Sequence, residues 1–228
     1  RHSLALASDG TVWAWGSNSS GQLGDGSGET QLYPARVIAL PAATAIAAGT
    51  NHSLAITLEG SAWGLGQNWL GQLGDGSGEN RPYPVKINQL SRVTAVAGGD
   101  SHSLAVTDDG AVWGWGWNLY GQVGNGSTVD QPVPVRVGVD SKTLRVAAGD
   151  LYSFALSTDG TLMAWGNGYY GQLGNGIMGY WNTPLPVSLV DGDLSITGTL
   201  DTTPDAFGFA PVDGVSPNTV VVSETVTL

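Results

Sequence analysis

A motif that recurs every 50 residues, a Gly-containing hairpin turn inside each copy and the lack of any convincing amphipathic helical stretch predict an all-β chain. The arithmetic of four short strands per repeat is that of a β-propeller blade. HSLA stands at His2 to Ala5, His52 to Ala55 and His102 to Ala105, and its variant YSFA at Tyr152 to Ala155. The repeats therefore run 1–50, 51–100, 101–150 and 151–189.

Within one copy the elements follow in order. His2, Leu4 and Leu6 share one face of a period-two strand, and the small residues Ser3, Ala5 and Ala7 share the other. Asp9-Gly10, matched by Glu59-Gly60, Asp109-Gly110 and Asp159-Gly160, supplies the positive φ angles of a two-residue hairpin turn. Val12 to Gly16 returns as the second strand, with Trp13 and Trp15 on one face. After the glycine-rich segment Gly21 to Gly28, Pro34 to Ile38 and Ala43 to Ala48 are the third and fourth extended runs. A β-solenoid is the rival architecture, but its coils are usually shorter and need no such hairpin in each unit.

Composition narrows the function classes. The 228 residues include 35 Gly, with 41% hydrophobic and 12% charged residues, so the chain has the apolar mass for a core. A net charge of −11 is opposite to what phosphate binding requires, so nucleic acid and anionic membranes are poor partners. With no Cys there is no disulfide, thiol catalysis or Cys-ligated metal. The longest apolar stretch, around Val37 to Gly49, is broken by Pro41 and Thr44 and is too short to span a bilayer.

The ordered set HSLA(L/I/V)xxxG, (V/A)WxxG, GQ(L/V)G(D/N)G, P(A/V)(R/K)(V/I) and a small-residue strand such as AIAAG resembles the repeat of the regulator of chromosome condensation family, over Arg1 to about Leu189. The resemblance implies a propeller, with seven blades in the best-known members, of which four repeats are present here. It also implies work through one face by protein binding, since the family includes an exchange factor for a small nuclear GTPase and a bacterial inhibitor of β-lactamase. Clustered Trp also brings photoreception to mind, but the Gly-Trp-Arg-His-Thr string of the family's photoreceptor is absent. Because the chain opens with Arg1 inside a strand, further blades of the same chain or self-association are expected to cover its end blades. Residues 190–228 change texture, to Thr, Val, Pro and Asp, and read as a linker and the start of an immunoglobulin-like module of the kind found in bacterial extracellular proteins. An extracellular or cell-surface setting follows as an expectation.

The candidate chemical sites are few. His2, His52 and His102 with Tyr152, and Gly10, Gly60, Gly110 and Gly160, occupy single repeat positions and read as scaffold. Each histidine is expected to pack between blades with a ring nitrogen bonded to backbone. Neighbouring His and Ser point to opposite faces of a strand, so no triad is expected. The loops GDGSGE at Gly24 to Glu29 and Gly74 to Glu79 offer a partial calcium ligand set in Asp25, Ser27 and Glu29. The later copies GNGSTVD and GNGIMG do not keep it, so no metal or cofactor is expected. Enzymatic activity is not expected either. Comparing the copies with one another leaves variable loops that carry Trp69, Trp117, Tyr120, Tyr169, Tyr170, Tyr180 and Trp181. Aromatic residues on the loops of one rim make the composition of a recognition surface for a protein, with a carbohydrate ligand as the alternative.

Overall fold

A computed structural model describes residues 1–187. They form four antiparallel sheets and no helix. The first holds β1 (His2–Leu6), β2 (Val12–Gly16) and β3 (Gln31–Arg36). The second holds β4 (Ala43–Ala48), β5 (His52–Thr57), β6 (Ala62–Gly66) and β7 (Arg81–Lys86). The third runs β8 (Val93–Gly98), β9 (His102–Thr107), β10 (Val112–Gly116) and β11 (Gln131–Arg136). The fourth runs β12 (Thr143–Ala148), β13 (Tyr152–Ser157), β14 (Leu162–Asn167) and β15 (Tyr180–Pro186). These are propeller blades; the segment 190–228 lies outside the described residues.

Sequence repeat and sheet are offset. The small-residue strand that closes each repeat is the innermost strand of the next sheet: Ile46 of β4 is paired with Ala55 of β5, and Val96 of β8 with Ala105 of β9. The first sheet, with no such strand before it, has three strands. Ala, Gly and Val predominate on these inner strands, because β4, β8 and β12 crowd together where the blades converge and only short side chains fit. The outermost strands carry Pro82, Pro84, Pro132 and Pro134, which have no N–H to offer a further strand and so suit an edge. The third strand starts at Gln31, three residues before the predicted Pro34, since an edge strand tolerates the proline inside it.

The hairpin turn also differs from the two-residue form. Gly60 N–H donates to the Thr57 carbonyl, and Thr57 N–H to the Ser61 carbonyl, so the loop has three residues and only its glycine has positive φ, +70°. This is a type I turn closed by a left-handed residue, where the carboxylate of Asp9, Asp109 or Asp159 caps the strand restart instead of entering positive φ.

Blades stack face to face. The His, Leu and Ile face of β5 looks toward the third sheet, where Leu54 packs with Ala105 and Trp115, while Ala55 packs with Leu4 and Leu23 on the other side. β5 and β9 are consequently buried along both faces, and β13 buries only every second residue. Each fully buried Leu at such a junction contributes about 1.5–3 kcal/mol of transfer free energy.

Candidate functional site

Each junction between blades repeats one set of bonds. His52 Nε2 lies 2.9 Å from Ser103 Oγ and His102 Nε2 lies 2.9 Å from Ser153 Oγ; His2 and Ser53 are matched at 2.6 Å. The serine hydroxyl donates onward to a carbonyl of the preceding blade: Ser53 to Gln22, Ser103 to Gln72 and Ser153 to Gln122, at 2.7–2.8 Å. With its proton used there, the serine accepts from Nε2–H, which fixes the histidine as the neutral Nε2–H tautomer with a bare, buried Nδ1. Trp115 and Trp165 donate to the same Gln72 and Gln122 carbonyls, at 2.8 and 2.9 Å. The histidine's partner is thus a side chain of the next blade and not backbone as expected.

A His–Ser bond therefore exists, between blades instead of between sequence neighbours. It is sealed. His52, His102, Ser103 and Ser153 have no exposed surface, and burial pushes His52 and His102 down to about 3 and His2 down to about 4. A base that weak, with no path to a substrate, cannot activate the hydroxyl. The ring needs the glycine three residues before it: a Cβ on Gly49 or Gly99 would clash with the ring of His52 or His102. Tyr152 takes the position in the fourth sheet, edge-on to Phe154 at 5.6 Å.

The long loop after each second strand is folded from within. Asn68 is fully buried: its Oδ1 accepts from Leu73 N–H and its Nδ2 donates to Asp75 Oδ1 at 2.8 Å. Gln72 accepts from Leu70 N–H, and Asn18, Gln22, Asn118 and Gln122 make the matching bonds. In GDGSGE, Asp25 accepts from Asn18 Nδ2, Ser27 N–H, Ser27 Oγ and Gln31 Nε2. Burial pushes the Asp25 carboxyl up, but these donors together outweigh it and hold it below the ordinary carboxylate range. At Asp75, Arg81 joins the donors at 2.8 Å. Carboxylates so occupied by N–H and O–H groups are loop staples.

The variable positions stand on the outside of the same loops. The residue after the buried asparagine is exposed in three copies, Ser19, Trp69 and Leu119, and in the fourth, where Gly168 takes the asparagine's place, Tyr169 is exposed in the same column. Trp69 is 70% exposed and Tyr170 is 85% exposed. Trp117, Tyr120 and Tyr180 form one cluster across the third and fourth sheets, with ring centroids 5.7 and 4.9 Å apart, and Tyr169 meets Tyr170 edge-on at 5.3 Å. Tyr180 is exposed, Trp117 and Tyr120 are half-buried, and Trp181 is half-buried with its indole N–H enclosed. Leu119, Ile177 and Met178 are exposed beside them, and a search for aromatics alone overlooks these three. Leu119 was discoverable, because it occupies the column of Trp69 and Tyr169. At the centre of this rim an open hollow of about 340 Å³ is bordered by Ala48, Gly98, Asp100, Ala148 and Asp150.

Comparison with solved structures agrees with the blade geometry. Human WBSCR16 is similar over 82% of this chain and 51% of its own, with a TM-score of 0.75 and 23% identity. Prp20p from Saccharomyces cerevisiae, studied with its binding to Gsp1p and histones, gives 0.74 and 25% identity over 83% of this chain and 49% of its own. Yeast RCC1 (Prp20) in its complex with Kap60 gives 0.72 and 25% identity, over 83% and 47%. The chain spans about half the length of these proteins. A family model described as the RCC1-like domain matches residues 1–199, over blades joined by the same repeated junction: the chain belongs to the RCC1-like domain family.

Proposed function

We propose that this chain is a non-enzymatic protein-interaction module that binds its partner through the variable loops of one rim, as part of a larger exported surface protein. The observation that carries the reading is the exposed column Trp69, Leu119 and Tyr169 with Tyr170, the first two on loops fixed from within by Asn68 and Asn118 and the last two on a loop where Gln172 accepts from Tyr170 N–H. Rigid loops bearing exposed aromatics bind at low conformational cost, and aromatic anchors dominate protein interfaces. The binding of Prp20p to Gsp1p and histones supports protein binding as the mode on this kind of fold. The exported setting is supported by the charge of −11 and the Thr- and Val-rich residues 190–228, and fractionation of cells producing the full reading frame tests it.

Selection from a displayed random-peptide library against the immobilised chain tests the rim. Binders should emerge that are lost on Trp69→Ala combined with Tyr170→Ala and kept on Asp9→Asn combined with Asp159→Asn, at the opposite rim. Binders indifferent to Trp69 and Tyr170, or a glycan array that responds where the library does not, would sink the reading.

A further inference from the structure

The two rims differ in charge. Six of the chain's eight bases, Arg36, Lys86, Arg92, Arg136, Lys142 and Arg145, lie toward the hairpin-turn rim, at the ends of outer strands, in the loops after them or in the first half of β12. There they stand among Asp9, Glu59, Asp108, Asp109, Asp140 and Asp159, so among the described residues that rim is balanced, six against six. Only Arg1 and Arg81 belong to the loop rim, and Arg81 is held by Asp75 at 2.8 Å and Glu79 at 3.7 Å. Among the described residues Glu29, Asp100, Asp130 and Asp150 have no cation within salt-bridge distance, and they share that rim with Trp69, Tyr169, Tyr170 and Tyr180.

Resting on the interaction reading above, we infer that the rim's partner is a basic polypeptide segment, whose Lys or Arg side chains lie over the exposed Trp69, Tyr169 and Tyr170 rings and face the unpaired carboxylates. Both halves of the surface select the same group. An ammonium or guanidinium over a Trp or Tyr face is attracted by the ring quadrupole, and surplus carboxylates nearby raise its local concentration and speed its docking. An acidic partner would meet uncompensated like charge. A neutral one would leave the carboxylates to be desolvated without a counter-charge.

The geometry supplies clean variants. Asp130 Oδ1 accepts from Asn118 N–H at 2.9 Å, and in the preceding blade Asn80 Oδ1 does the same for Asn68 N–H at 2.9 Å, so Asp130→Asn removes charge and keeps the bond. Asp150 has Thr50 at its repeat position, so a neutral polar residue is accommodated there too. The library selection on the full chain should yield a pool enriched in Lys and Arg over the input. A synthetic peptide made from that pool should lose about tenfold in affinity on Asp130→Asn with Asp150→Asn, and stay within about twofold on Asp9→Asn with Asp159→Asn. Neutral or acidic binders that still depend on Trp69 and Tyr170 would overturn the basic partner and leave the interaction reading standing. Equal losses from the two rims' variants would overturn it as well, as general attraction to an acidic protein. A library without binders, or binders indifferent to Trp69 and Tyr170, would overturn both.

Discussion

Asn68 and Trp69 are adjacent in the chain and opposite in role. Asn68 is fully buried, with its amide bonded on both sides to its own loop, and Trp69 is 70% exposed. The same division runs through the molecule: Ser103, Gln72 and Trp115 lock one blade to the next, while Trp69 and Leu119 differ on the outside of loops held by equivalent asparagine bonds. A rigid interior allows the exterior to change, since the bonds of Asn68 and Asn118 involve neither the Trp69 nor the Leu119 side chain.

The contrast can be broken at its strongest point first. Trp115→Ala removes a fully buried ring and one of two donors to the Gln72 carbonyl, and should cost about 3–5 kcal/mol in chemical denaturation. A loss below about 1 kcal/mol would mean that the junction is not where stability resides.

Acid should act on the junctions next. His52 and His102 stay neutral in the folded chain down to about pH 3, whereas in the unfolded chain they take up protons below about pH 6.5. The unfolded state therefore binds more protons between those values, and stability falls as pH falls through that window. From pH 7 to 5 each buried histidine should remove about 2 kcal/mol. His52→Gln should flatten the slope of unfolding free energy against pH by one histidine's share, and an unchanged slope would place the titration elsewhere.

Turn chemistry comes third. Gly110 has φ of +83° and a Cβ there would lie 2.9 Å from Lys142 Cα, so Gly110→Val should destabilise by about 1–3 kcal/mol. At the small end, Trp69→Ala should leave stability within about 0.5 kcal/mol while removing rim binding. A large drop in melting temperature would mean that the exposed column belongs to the scaffold.

The period-two strands and the hairpins were legible because HSLA alternates large and small residues and a glycine ends each turn. The junction bond was not. His52 and Ser53 point to opposite faces, and each finds its partner in an identical tetrapeptide one repeat away, so the sequence carries the same letters on both sides of the contact. The offset between repeat and sheet was equally hidden, since the inner strand's hydrogen bonds decide its membership and its position in the repeat does not. At the rim, an aromatic filter found Trp69 and Tyr169 but passed over Leu119, whose exposure depends on its place beside a buried asparagine. Trp181, chosen for its ring, proves half-buried because it sits on β15, paired with Gly166, and not in the loop itself.

That the same histidine–serine bond recurs across the junctions has a genetic consequence. The bonds join residues 51 positions apart, one repeat and one residue, so a deletion of 51–100 would bring Ser103 to the place of Ser53 and give His2 an equivalent serine bonded to the same Gln22 carbonyl. Unequal crossing-over between repeats can therefore lengthen or shorten the array by whole units without creating an unfamiliar contact. A deletion of the same length starting mid-loop, at 70, preserves this phase as well, and one of half that length destroys it. Circular dichroism and cooperative melting of the three deletions should group the first two together and set the third apart.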